Sequence, residues 1–243
     1  MKFVVKNTTR SGLLDLLCPH TCRGCGRLGA VLCECCKNDL PESPLRVCPL
    51  CQQVLADTKK NGAAWRDYRC KDCGLSLDSL FVCGWRDGVL AKLVKDFKYQ
   101  SVRAVSGVLV EILQQAIPEL PQNVVVVPLP TIGRHVRERG LDHTLVLAKK
   151  LAKKRGWKCQ QMLLRAADTV QVGTKAAVRQ EQAKKAYVAS MTPDSETTYL
   201  LLDDVWTTGA SMLAAAETMR LVGAKCVLGV VVMAGRDKQN SAS

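Results

Sequence analysis

The residues with the clearest chemical content stand together at 200 to 211, LLLDDVWTTGAS. An apolar run, Leu200 to Leu202, leads straight into Asp203 and Asp204, then past Val205 and Trp206 to a hydroxyl pair and a glycine. A short buried strand ending there would place the acids at the carboxyl edge of a parallel sheet, where open α/β folds bind ligands. Thr207, Thr208, Gly209, Ala210 and Ser211 would then form the first turn of a helix. Its unpaired N–H groups, hydroxyls and dipole favour an anion. Gly209 would let the backbone approach a phosphate closely. The ionised carboxylates, acceptors only, suit the vicinal hydroxyls of a ribose. The order predicts a cradle for a sugar phosphate.

This segment resembles the 5-phosphoribosyl 1-pyrophosphate (PRPP) motif of type I phosphoribosyltransferases: a strand, two acidic residues and a T-T-G turn. A donor of that kind needs a second anion site facing the first. The stretch VPLPTIGRHVRERGLDH, residues 127 to 143, offers one. It follows the β-branched strand Val124 to Val127, which Pro128 and Pro130 turn into a loop. Arg134, Arg137 and Arg139 supply guanidinium groups suited to bidentate phosphate contact, and Gly140 permits a close turn. His135 and His143 sit in or just after this loop and read as phosphate contacts or exposed residues rather than proton shuttles.

Thirteen cysteines are present, eight of them in four C-x-x-C pairs: Cys22 with Cys25, Cys33 with Cys36, Cys48 with Cys51, and Cys70 with Cys73. Lys6 and Arg10 break the opening MKFVVKNTTR, which lacks the apolar core of a signal peptide. No apolar run is long enough to span a bilayer. The expectation is a cytoplasmic chain with reduced thiols and two closed, structural Zn²⁺ sites. The simplest pairing joins the first two knuckles and the last two, with a crossed pairing open. Cys18, His20 and Cys35 read as bystanders; Cys83, Cys159 and Cys226 read as small core residues.

Composition changes near residue 80, from cysteines, prolines and turn residues to longer apolar periodic segments. Residues 1–80 are read as a metal-stapled module that depends on its ions to fold, and 81–243 as one α/β domain. Leu90, Leu93, Val94 and Phe97 fall at helical spacing, as do Val105, Val108, Leu109, Ile112 and Leu113. Leu141, Leu145, Ala148 and Leu151 predict another helix face. A strand at 199 to 203, a helix at 210 to 222 closed by Gly223 and a strand at 226 to 233 complete a βαβ unit.

The formal charge is +13, falling to about +9 once eight thiolates and two Zn²⁺ are counted. Arg134, Arg137, Arg139, Lys149, Lys150, Lys153, Lys154, Arg155 and Lys158 concentrate it between residues 134 and 158. Such a stretch suits phosphates or nucleic acid, or forms a solvated helix face. Aromatic content is only 5%, and Trp157 and Trp206, the aromatics nearest these segments, read as packing residues.

Taken whole, the four knuckles, FKY at 97 to 99, VPLP with R-x-R-G at 127 to 140, the segment from Arg179 to Tyr187 and LLLDDVWTTGAS resemble the ComF family: a double zinc ribbon joined to a type I phosphoribosyltransferase fold, a parallel sheet flanked by helices. The resemblance covers nearly the whole chain. It implies that Lys98, Arg137, Arg139 and Arg179 contact phosphate or pyrophosphate, that Asp203 and Asp204 hold the ribose, and that Mg²⁺ accompanies PRPP. It also implies a competence setting, with a helicase or another protein docking on the ribbons. The chain departs from the family at Leu141, Asp142 and His143, where Phe, Asn and Gln are usual, and at Gln182, where Asn is customary. Purine-salvage relatives carry an Asp at the position of Thr207 that serves as base for the purine. A purine acceptor is therefore disfavoured.

The chemistry these residues imply is displacement at the anomeric carbon of PRPP by an unknown acceptor, with Arg137 or Arg139 stabilising the leaving pyrophosphate. A second class fits the same residues: a non-catalytic DNA-uptake adaptor whose basic stretch follows single-stranded DNA and whose ribbons dock a helicase. Single-strand binders that ignore sequence usually offer stacking aromatics as well as charge, and few are present here.

Overall fold

The chain is described by a computed structural model over residues 20–235, apart from 41–42, 46, 52, 54, 56–64, 100–101, 121–122 and 167–185. Among the described residues the cysteine-rich part carries a short helix, α1 (Glu34–Asn38), and a 3-10 turn (Trp65–Tyr68). Next come β1 (Ser79–Val82), α2 (Gly88–Tyr99), α3 (Val102–Ala116) and β2 (Val124–Pro128). They are followed by α4 (Gly133–Arg139), α5 (His143–Arg155), β3 (Lys158–Cys159), β4 (Leu163–Arg165) and β5 (Tyr187–Ala189). The last described elements are β6 (Thr198–Trp206), α6 (Ala210–Leu221) and β7 (Cys226–Ala234).

Five strands form one parallel sheet in the order β1-β7-β6-β2-β3, and β4 pairs with β5 in a small antiparallel sheet. The β-branched and leucine-rich runs predict strands covered on both faces, and the two cores divide them accordingly. Val124, Val126, Leu200 and Leu202 pack with α2, α3 and α5, whereas Val125, Val127, Tyr199 and Leu201 pack with α6 and β5. This alternation reverses across the acidic pair, because Val205 joins the first core and Trp206 the second. The knuckle cysteines Cys22, Cys36, Cys48 and Cys70 belong to the first core together with Phe97 and Val230. The metal-type module thus shares the core of the α/β part.

β2 continues through α5 to β3 on one side, and β6 through α6 to its neighbour β7 on the other. Between β2 and β6 the winding changes direction, and the crevice beyond their carboxyl ends is where such sheets bind ligands. Pro128 pairs with Leu202, so residues 129 to 132 emerge beside Asp203 and Asp204.

Several local expectations shift. β6 runs from Thr198 to Trp206 rather than 199 to 203, so the acids lie within the strand. The arginine stretch after β2 is the helix α4, not an open loop, ended by Gly140 at φ 70°. α5 begins at His143, with Leu141 outside it, and buries His143, Thr144, Leu147, Ala148, Leu151 and Ala152. The buried stripe is displaced because Asp142 caps the helix, accepting from the Leu145 N–H at 3.1 Å.

The basic stretch divides. Lys150 donates to the Ser106 hydroxyl, and Arg155 donates to the carbonyls of Gln114 and Ile117 at 2.6 and 2.5 Å. Both tie α5 to α3, and Arg155 also lies over the Trp157 ring at 5.1 Å. Lys149, Lys153, Lys154 and Lys158 stay exposed. Among the described residues no helix is long and apolar enough to cross a membrane.

Candidate functional site

A cavity of about 200 Å³ occupies the crevice between the ends of β2 and β6. Leu129, Pro130, Thr131 and Ile132 form one wall, and Asp203 and Asp204 the other. α2 contributes Lys98 from its last turn, and α5 contributes His143 and Thr144 from its first; Arg165 and Tyr187 close the side formed by β4 and β5. Two cations and two carboxylates thus meet in one small space.

Lys98 Nζ lies 2.6 Å from Asp204 Oδ2, with the two side chains 21% and 12% exposed. Partial burial makes this pair stronger than an open surface pair, and losing one partner strands the other charge. Arg165 donates from Nε to the Pro130 carbonyl at 3.0 Å and from Nη2 to the Tyr187 hydroxyl at 3.4 Å. Its guanidinium stands over the Tyr187 ring at 5.3 Å. Tyr187 is buried, which raises its pKa, and its hydroxyl also meets the Ser211 side chain. That hydroxyl joins the cavity to the first turn of α6.

Asp203 opens partly into the cavity, yet protein atoms crowd the rest of it. Burial, then the charge of Asp204, push its carboxyl up to about 7, against the opposing Asp204 N–H and the more distant Lys98 and Arg165. The Asp204 N–H donates to Asp203 Oδ1 at 2.8 Å. With the folded pKa above the unfolded 3.8, the native state holds the extra proton between about pH 4 and 7, so stability falls as pH rises through that window. The full penalty is about 4 kcal/mol, complete above the folded pKa. Asp203→Asn should therefore stabilise the protein at pH 8 by about 2 to 4 kcal/mol and change little at pH 4. Urea unfolding at both pH values checks this, and an equal effect at the two would refute it.

The turn predicted to hold phosphate stands beside the cavity without lining it. Thr207, Thr208, Ala210 and Ser211 are exposed, and Thr208 Oγ1 accepts from the Ala210 N–H at 3.4 Å. Gly209 has a local reason for being glycine. Its φ is 78°, and a Cβ there would fall 2.2 Å from Cζ2 of Trp206, which is 1% exposed. The packing role expected of Trp206 holds.

Of the remaining predicted contacts, Arg137 and Gly140 are exposed and do not line the cavity. Arg139 ends α4, but its side chain and those of Arg134 and His135 lie outside the described residues, as do Arg179 and Gln182 altogether. His143, expected to touch phosphate or solvent, is instead 2% exposed and set edge-on to Phe97 at 4.9 Å. The cap turns it inward: Asp142 also accepts from the Thr131 hydroxyl at 3.0 Å, which ties the start of α5 to the loop after β2. Arg165 escaped sequence reasoning. It ends a three-residue strand whose partner lies 22 residues downstream, and no local pattern announces that pairing.

The eight knuckle cysteines form two groups, Cys22, Cys25, Cys33 and Cys36, and Cys48, Cys51, Cys70 and Cys73, each with its sulfurs within 4.8 Å of one another. The sequential pairing is thus the one adopted. Cys25 and Cys33 stand 3.6 Å apart, Cys51 and Cys70 3.6 Å, Cys48 and Cys73 3.8 Å. These separations far exceed a disulfide and match the ~3.8 Å edge of a tetrahedron with metal–sulfur bonds of about 2.3 Å. Burial raises the Cys22 thiol, but the N–H groups of Cys33, Cys25 and Gly24 outweigh it and bring the pKa to about 6, favouring the thiolate a metal needs. The donor set fits Zn²⁺. Cys35 and His20 stand outside both groups, and Cys18 lies outside the described residues. Cys83 is buried, with Cys159 and Cys226 half-buried against the first core.

The fold and these sites define an α/β protein with a charged cavity at the turning point of its parallel sheet and two four-cysteine sites that could bind zinc. No protein-family model matches the chain, and no curated protein resembles it closely enough to match.

Proposed function

We propose that the cavity and the adjoining turn bind a phosphorylated pentose, and that the chain is a ComF-type protein with a type I phosphoribosyltransferase domain acting on PRPP. The observation that carries the reading is the placement of Asp203 and Asp204 at the carboxyl end of β6, facing a cavity at the turning point of the sheet, one turn before the N-terminus of α6. Asp203 and Asp204 accept hydrogen bonds from the ribose hydroxyls. The N–H groups and hydroxyls of Thr207 to Ser211 receive the 5-phosphate. Lys98 and Arg165 line the cavity and supply the cations that meet the pyrophosphate; the contacts expected of Arg137 and Arg139 rest on the ComF resemblance alone.

In the reaction, an acceptor lone pair forms the new bond to the anomeric carbon, the bond to pyrophosphate oxygen breaks with its electron pair leaving on the pyrophosphate, and the acceptor's proton passes to water or to that pyrophosphate. Asp203 and Asp204 are the cavity carboxylates that would hold a Mg²⁺ ion entering with PRPP, and the ion would supply charge neutralisation there. The chain's own residues position the ribose and stabilise the leaving charge; Thr207 offers no carboxylate to deprotonate a purine. Docking of a partner on the ribbons is supported by Leu28 and Leu50, 72% and 40% exposed within the knuckle segments.

Replacing both acids, Asp203→Asn with Asp204→Asn, is expected to abolish calorimetrically detected binding of PRPP with Mg²⁺ while zinc content stays unchanged. Retained affinity would overturn the reading.

A further inference from the structure

The first four-cysteine cluster is fastened to the helix that carries Lys98. Arg23, which follows Cys22, places Nε 2.6 Å from Asp96 Oδ2 on α2. Lys37, which follows Cys36, is only 8% exposed and meets Glu34 at 2.9 Å and Glu111 of α3 at 3.9 Å. Between them the knuckle presses on the start of α2. A Cβ on Gly24 would fall 2.4 Å from Cys36 Sγ and 3.3 Å from Val89. α2 is therefore held near both ends, at Val89 and at Asp96. Phe97 then meets His143 edge-on, and Lys98 reaches Asp204.

Charge supports the same fastening. Four thiolates around a divalent ion carry a net charge of about −2, and Arg23 and Lys37 are the cations next to the cluster in the chain. The second cluster seats elsewhere: the Ser79 hydroxyl of β1 donates to the Trp65 carbonyl at 2.6 Å, and Tyr68 lies edge-on to Phe81 at 5.4 Å. One cluster grips α2, and the other grips β1.

We infer that the first four-cysteine cluster, closed by its metal, is a positioning element for the cavity: it holds α2 so that Lys98 meets Asp204, and metal occupancy there is linked to ligand binding in the cavity. Linkage of this kind is reciprocal. The fastening of α2 does not depend on the ligand's identity; only the affinity measurement below rests on the sugar-phosphate reading.

Hydrogen exchange of the full chain tests it. In Cys25→Ser, zinc content should fall by about one ion per chain, and amides of residues 88 to 99 should exchange at least ~10-fold faster while those of β6 and β7 keep their protection. Cys73→Ser should lose one ion and leave α2 unchanged. Arg23→Ala, which keeps all eight ligands and both ions, should still quicken α2 by about 3-fold and weaken Mg²⁺-PRPP binding by about the same factor. Unchanged α2 exchange in Arg23→Ala, or an equal rise in Cys73→Ser, would overturn the inference. A wild-type protein that ignores PRPP while α2 responds as described would overturn the sugar-phosphate reading and uphold the fastening.

Discussion

Removing metal from both four-cysteine clusters is expected to unfold residues 20 to 78 while the parallel sheet persists in weakened form. Apparent metal-binding free energies at such sites are on the order of 10 kcal/mol each, comparable to the stability of a whole domain. Little else could replace that term. α1 has five residues, too short to hold the segment by itself. Without metal, each group would gather four thiols within 4.8 Å; burial already pushes Cys36 up to about 12, so that thiol stays protonated.

The unfolding should spread inward, because Cys22, Cys36, Cys48 and Cys70 share one core with α2 and α3. Elemental analysis should give about two Zn²⁺ per chain, and a strong chelator should expose residues 20 to 78 to protease. One ion or none would refute the pairing, and unchanged protease resistance after complete metal loss would refute the dependence.

The next largest effect belongs to Gly209→Ala. Alanine at φ 78° costs about 1 kcal/mol or more, since the left-handed region crowds a Cβ. Here the Cβ would also overlap a fully buried indole, 2.2 Å from Cζ2 and 2.6 Å from Cη2 of Trp206. Neither group can move away, because the ring is packed in the second core and the glycine starts α6. Overpacking of this kind adds about 1 to 3 kcal/mol, for a total of roughly 2 to 4.

Gly140→Ala is the matched control. Its φ is 70°, with nothing within 4 Å of the added atom, so it should cost only the backbone share of about 1 kcal/mol. Chemical denaturation of both variants, and of Gly209→Ala in a Trp206→Leu background, separates the two contributions. Equal losses at Gly209 and Gly140 would show that the ring plays no part.

The elements were largely legible. Val124 to Val127, Leu200 to Leu202 and Cys226 to Met233 read as strands because continuous apolar runs fit only a sheet covered on both faces. Leu90, Leu93, Val94 and Phe97 read as one helix face, and all four are buried. The candidate site was legible only in part. Asp203 and Asp204 could be placed at a sheet edge, but the reversal of side-chain facing across them depends on where Trp206 finds room. His143 was misread because its inward turn depends on the Thr131 contact to Asp142, made between a loop and a helix cap.

The sequence alone determined what is local: four knuckles whose C-x-x-C spacing sets two thiolates on one tetrahedral edge, apolar runs that must be buried, and an acidic pair ahead of a hydroxyl-glycine turn. Only the tertiary structure decided which knuckles join, that Lys98 crosses to Asp204, and that Arg165 enters the cavity. Residue types and short spacings constrain neighbours within a turn or a strand. The partner that Arg165 meets 22 positions away at Tyr187, or that Lys98 meets far along the chain at Asp204, is settled by how the sheet orders its strands and how the helices close over it.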